Sequence, residues 1–268
     1  MKKIAIVTGA SSGMGREFAS QISGTRDIDE IWLVARRRDK LEALAEELSA
    51  SGAIPKIIDA DLSGRAGIKR LEAILEKESS AAPASGEPAF AIDALVNNAG
   101  FGTYGTFRDT DLDRQLDMID LNVLSLTGLC HIALPYLRRG SLIVNVASLA
   151  SFAPLGNFAV YAATKAYVLS FSTALAAELA DDGIFVMAAC PGPVDTEFAQ
   201  VASNGARARV VDGKDPAAVV ARCLRDAARG RHISIMAPKW RFKAFMSRFI
   251  GRYAFARHTY IHEKRPSR

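Results

Sequence analysis

The 268-residue chain is predicted to form a single α/β domain, a doubly wound parallel sheet, followed by a basic amphipathic tail. Five short runs carry the prediction: 4–8 (IAIVT), 31–34 (IWLV), 94–96 (ALV), 142–146 (LIVNV) and 184–190 (IFVMAAC). They are apolar with no polar alternation, the pattern of strands covered on both faces. Helical patterns at 15–22, 39–50, 68–77, 112–136 and 161–179 alternate with them, and alternating strands and helices wind a sheet from both sides. The length suits one core of this kind, placing the main domain at 1–238 and an extension, helical by its spacing, at 239–268.

The first strand follows two lysines, but only four apolar residues precede Thr8 and Gly9. A secretory leader needs about 7–15 apolar residues, so the run reads as a buried strand. No run approaches the ~18 apolar residues of a membrane span. After the strand, Gly9, Ser11, Ser12, Gly13, Met14 and Gly15 open a helix. Glycines there admit a pyrophosphate to the backbone, and free amides at the helix start bind its charge. The spacing is GxxxGxG rather than GxGxxG, and such a turn also occurs without a ligand.

The second strand runs into Arg36, Arg37 and Arg38, with no acid before Asp39. A carboxylate at this strand end grips the ribose hydroxyl of NAD; guanidinium groups grip a 2′-phosphate. Arg36, with Arg37 beside it, therefore points to NADP (NADPH). The small, polar, proline-bearing segment 79–88 reads as a solvent loop before the next strand.

Tyr161 and Lys165 stand one helical turn apart, thirteen residues after Ser148. An ammonium near a phenol lowers its pKa toward the working range and makes it a usable acid or base. A buried tyrosine beside a snorkelling lysine has the same spacing.

TGASSGMG at 8–15, Asp61-Leu62, NNAG at 97–100, Asn122, Ser148, YAATK at 161–165 and PGPVDT at 191–196 stand in an order that closely resembles the unextended short-chain dehydrogenases/reductases, over residues 1–238. The resemblance implies a Rossmann-type fold and the interconversion of a carbonyl and an alcohol. It assigns Tyr161 as acid/base, Lys165 to tuning Tyr161 and holding the nicotinamide ribose, Ser148 to the reacting oxygen and Asn122 to a water. It places Asp61 and Leu62 at the adenine, Asn97, Ala99 and Gly100 beside the adenine ribose, and Pro191, Gly192, Val194 and Thr196 along the nicotinamide. It also implies a homodimer or homotetramer. Non-catalytic NADP binding and a membrane-surface adaptor are the alternatives; both Tyr161 and Lys165 are present, against the first.

The net charge of +5 is unevenly placed. Residues 239–268 hold nine Lys or Arg and one acid, leaving 25 basic and 28 acidic residues before them. A mildly acidic body does not suit nucleic acid. Cys130, Cys190 and Cys223 have no metal-like spacing and fit a reducing cytoplasm, and His131 and His232 lack ligand partners, so no metal is expected. The segment from 197 to 215, rich in Ala and Val with Arg207 and Arg209, suggests a small lipophilic substrate such as a steroid or bile-acid-like alcohol, a 3-oxoacyl compound or a xenobiotic carbonyl. In the tail, Phe242, Phe245, Met246, Phe249 and Tyr253 recur as one helix stripe. Packing over the cleft or a subunit interface is expected of it in preference to peripheral membrane contact.

Overall fold

The computed structural model describes every residue except 51, 81–87, 209, 211 and 266–268. Seven parallel strands form one sheet in the order β3-β2-β1-β4-β5-β6-β7. They are β1 (Lys2–Thr8), β2 (Glu30–Ala35), β3 (Ile54–Asp59), β4 (Phe90–Asn97), β5 (Leu137–Val146), β6 (Phe185–Ala189) and β7 (Ile233–Ser234). The helices are α1 (Gly13–Thr25), α2 (Arg38–Leu48), α3 (Gly64–Ser79), α4 (Leu112–Ile119), α5 (Leu126–Ala133), α6 (Ala159–Glu178), α7 (Phe198–Ala202), α8 (Pro216–Ala228), α9 (Pro238–Met246) and α10 (Arg252–His262).

The two faces of each strand feed two cores. Ile4, Ile6, Val34 and Ile143 pack with Leu71, Leu75, Leu126, Leu129 and Val168, from α3, α5 and α6. Ala5, Val7, Leu33 and Val144 pack with Phe18, Ile22, Leu41, Leu44 and Val220, from α1, α2 and α8. This double burial is why the central strands read as unbroken apolar runs. β3 escapes that pattern because it is an edge strand. Its Pro55 and Lys56 are tolerated there, and Lys56 lies 4.3 Å above the Trp32 ring. β1 and β4 are neighbours from which the chain winds in opposite directions, so the crevice at their C-terminal ends is where such a sheet holds a ligand.

The helical pattern at 112–136 is present but irregular. A π-helical stretch, Asp120–Ser125, separates α4 from α5. By length and a mean hydropathy of 1.4, Leu112–Tyr136 is the one described helix able to cross a membrane. It carries Asp113, Arg114, Asp117 and Asp120 at its start, and Met118, Asn122, Ser125, Leu126 and Leu129 are buried in the protein, so it is a core helix. Most of the predicted loop at 79–88, and Arg209, lie outside the described residues.

The tail departs from a single striped helix. Gly251 leaves helical geometry at ψ 128°, and the tail divides into α9 and α10. Phe242, Phe245, Phe249 and Tyr253 of the stripe face solvent. The opposite face packs on the body: the Thr259 hydroxyl accepts from the Gly156 amide at 2.8 Å, and Asn157 Nδ2 donates to the Tyr260 carbonyl at 3.0 Å. A Cβ at Gly156 would sit 2.5 Å from Tyr260 Cβ, so glycine permits this approach.

Candidate active site

A single cleft of 1140 Å³ runs along the C-terminal ends of the central strands and under the tail. At one end lies the glycine turn. Gly13 takes φ +54° and its missing Cβ would press on Thr196 Cγ2 at 2.9 Å, while a Cβ on Gly15 would collide with the Gly9 carbonyl oxygen. Ser12 caps α1 with no side-chain cap bond, and the first turn of α1 holds no acid. The helix start thus offers free amides and no competing carboxylate, which fits a pyrophosphate.

Gly9, Ser11, Ser12, Met14, Arg36, Arg37, Asp61, Leu62, Ala99, Gly100, Ser148, Tyr161, Lys165, Pro191, Gly192, Val194 and Thr196 all line the cleft. Gly13 and Gly15 are not among its lining residues; they pack against Thr196 and Gly9, which are. Asn97 corrects the expectation: it is buried, with Nδ2 donating to Asn145 Oδ1 at 2.9 Å and to Cys130 Sγ at 3.2 Å. Neighbouring strand residues face opposite ways, and it is Asn98 that lines the cleft, its Nδ2 donating to the carbonyls of Thr8 and Gly9.

The cations after β2 are already paired. Arg36 lies 3.7 Å from Asp61. Arg37 donates to the Ser11 and Ser12 hydroxyls at 3.1 and 2.8 Å and to Glu197 at 2.8 Å; Lys40 donates to the other Glu197 oxygen at 2.7 Å. Lys40 and Arg37 together hold the Glu197 carboxyl down at about 2. Glu197 directly precedes α7, so a carboxylate from beyond β6 ties that helix to the β2 end of the sheet.

At the other end of the cleft, Ser148 caps a 3₁₀ turn, Leu149–Phe152. Its hydroxyl accepts from the Ala150 amide at 3.1 Å, and its amide donates to Ser151 Oγ at 3.3 Å. Ser151 Oγ in turn donates to the Lys165 carbonyl at 2.7 Å, locking the turn to α6. Asn122, in the π stretch, works in the same way. Its carboxamide pairs both backbone groups of Phe101, at 3.1 and 2.9 Å, and donates to Thr164 Oγ1, which donates to the Tyr161 carbonyl at 2.8 Å. Asn122 is therefore a positioning residue that fixes the loop after β4 against the first turns of α6; π stretches recur at functional sites.

The Tyr161 ring is stacked on Phe158 at 4.1 Å and leans on Phe198 at 5.5 Å. Tyr104 packs edge-on against Phe158 at 4.8 Å. Arg265 of the tail lies 5.2 Å above the outer side of that cage. Burial pushes the Tyr161 phenol up from its ordinary value, and the hydrogen bond with Ser148 only partly opposes this. Lys165 Nζ donates to the Val146 carbonyl at 2.7 Å and sits 5.8 Å from the Tyr161 ring centroid. Burial brings Lys165 itself down to about 8. Burial thus favours the neutral phenol over the phenolate at Tyr161. Cys190 is fully buried beside Lys165, and burial pushes its thiol up to about 12, so it is not a reactive thiol. No cluster of metal-ligating side chains occurs among the described residues.

Tyr104, Phe158, Phe198, Glu197, Trp240 and Arg265 had no assigned role in the sequence. Their meeting depends on separations such as 157 and 160 residues between Lys40 or Arg37 and Glu197, which no local pattern reports. Trp240 is notable for a buried indole N–H that has no partner among the described residues, next to Gly192.

The family model of the short chain dehydrogenases matches residues 3–207. The chain belongs to the short-chain dehydrogenase family. Among its relatives, an uncharacterized oxidoreductase of Staphylococcus epidermidis is 32% identical over 212 residues, covering 78% of this chain and 85% of that protein. An NADP-dependent 3-hydroxy acid dehydrogenase of Schizosaccharomyces pombe is 33% identical, covering 76% of each. Among solved structures, a short-chain dehydrogenase from Sphingobium yanoikuyae in complex with NADPH has a TM-score of 0.76 at 29% identity, covering 92% of this chain and 93% of that one. The chain is thus an oxidoreductase of this family.

The buried ammonium makes stability depend on pH. Below about pH 8 Lys165 is charged in both states and its burial cost stands in full. Between about 8 and the ordinary 10.5 the unfolded chain holds a proton that the folded one lacks, so this group's contribution rises with pH. Lys165→Met is expected to raise the thermal midpoint relative to wild type most at pH 7, with the difference shrinking by pH 10. Unfolding scans across that range check it; a difference independent of pH would contradict it.

Proposed function

We propose that the protein is an NADPH-dependent oxidoreductase that reduces the ketone or aldehyde of a small lipophilic substrate to an alcohol. The observation that carries this reading is that Tyr161, Ser148 and Lys165 line one cleft with the glycine turn and an aromatic-walled chamber. NADPH, bound along the glycine turn, supplies the hydride that the carbonyl carbon receives. The chain's residues do the rest. Ser148 and Tyr161 donate hydrogen bonds to the carbonyl oxygen, where negative charge develops, and Tyr161 passes its proton to that oxygen. Lys165, charged below about pH 8 and one turn away, favours the phenolate left behind.

Phe101, Tyr104, Leu155, Phe158, Phe198 and Val201 give the chamber its apolar walls, which supports a lipophilic substrate such as a steroid-like or 3-oxoacyl carbonyl compound. Tyr161→Phe removes the proton donor without touching the glycine turn. It is expected to lower kcat by about 10²-fold or more and to leave NADPH affinity within about twofold. Retention of more than roughly a tenth of kcat would identify another acid.

The preference for NADPH is supported by Arg36, Arg37 and Lys40 and by the lack of an acid at the end of β2. Because Arg37 and Lys40 hold Glu197, a 2′-phosphate competes with that carboxylate for the same cations. Glu197→Gln should then tighten NADPH binding by about three- to tenfold and leave NADH within about twofold, read by cofactor fluorescence titration. Weaker NADH binding with unchanged NADPH would instead make Glu197 a ribose ligand and reverse the preference.

A further inference from the structure

We infer that the outer face of α9, the turn that follows and the start of α10 dock on an anionic membrane surface. Phe242, Phe245, Phe249, Ile250 and Tyr253 are exposed there, between 42% and 82%. Phe245 and Phe249 pack edge to face on each other at 5.2 Å. Side chains of this size rarely stand together in water without a partner. Around them the sequence is one-signed: residues 238–262 contain Lys239, Arg241, Lys243, Arg248, Arg252 and Arg257 and no Asp or Glu. Exposed aromatic rings bordered by cations match an interfacial bilayer segment, in which the rings enter the headgroup region and the cations meet anionic lipid.

The charge pattern selects the occupant. Lys243 lines the cleft beneath, but a second copy of the chain meeting this face through a two-fold axis would still set Lys239, Arg241, Arg248 and Arg252 against their own copies, whereas an anionic lipid surface complements them. The other exposed apolar group, Leu112, Leu116 and Ile119, lies among Asp111, Asp113, Asp117 and Asp120 and would be repelled by such a surface. The docking face is also the back of the cleft cover, since Trp240, Ala244 and Phe255 line the cleft from the same two helices. Docking thus sets the cover of the cleft against the lipid. The consequence for substrate entry rests on the lipophilic-carbonyl reading above; the docking does not.

Flotation of the full chain with vesicles, without cofactor or substrate, tests the docking separately from the chemistry. Binding is expected to vesicles of phosphatidylcholine with about one-third phosphatidylserine, at least about tenfold tighter than to phosphatidylcholine alone, and to weaken with salt. The triple variant Phe242→Ser/Phe245→Ser/Phe249→Ser should lose about tenfold or more of it, with NADPH binding confirming that it is folded. Arg248→Glu/Arg252→Glu gives the same test where the triple variant does not fold. Wild-type protein that stays out of the lipid fraction, or variants that float as wild type does, would overturn the proposal. So would wild-type protein that ignores vesicles but sediments as a larger species than the triple variant, because the face would then be a self-interface.

Discussion

The hydrogen bond from the buried Lys165 ammonium to the Val146 carbonyl ties the start of α6 to the C-terminal end of β5. The proposed catalytic constellation is held by that tie. Ser148 follows β5 by two residues and Tyr161 precedes Lys165 by one turn, so fixing α6 on the strand end fixes the hydroxyl beside the phenol. Two further links hold the same corner: Ser151 to the Lys165 carbonyl, and Asn122 through Thr164 to the Tyr161 carbonyl. A buried charge is costly unless it is partnered, and this one is kept at the place where a proton has to be controlled.

That arrangement changes how the tyrosine is understood. Helix spacing alone predicts an ammonium poised over a phenol, but the lysine reaches past the ring to a backbone carbonyl, and the ring is enclosed by Phe158 and Phe198. Desolvation there raises the phenol's pKa. The same aromatic enclosure gives the chamber its apolar character.

Much of the fold was legible in the sequence, because doubly covered strands leave unbroken apolar runs and the glycine turn follows the first of them. β3 was not, since an edge strand with Pro55 and Lys56 lacks that signature. The π stretch at Asn122 is invisible to a 3.6-residue period, and the choice between Asn97 and Asn98 depends on strand phase. In the site, most residues carried by short motifs line the cleft, while Gly13, Gly15 and Asn97 do not. Glu197, Tyr104 and Arg265 did not announce themselves, because their partners lie far away in sequence. The tail stripe was visible, but its break at Gly251 and its outward orientation depend on tertiary contacts made by Thr259 and Asn157.

The protonation state of Tyr161 is the point on which the rest turns. Carbon-13 labelling of the tyrosine ζ carbons, with the Tyr161 resonance assigned from its loss in Tyr161→Phe, reads that state directly during a pH titration. The resonance is predicted to stay at the phenol position up to about pH 10, the ordinary tyrosine value. A shift to the phenolate position between about pH 6 and 8 would show the lysine charge in control, and the proton-donor assignment would fail.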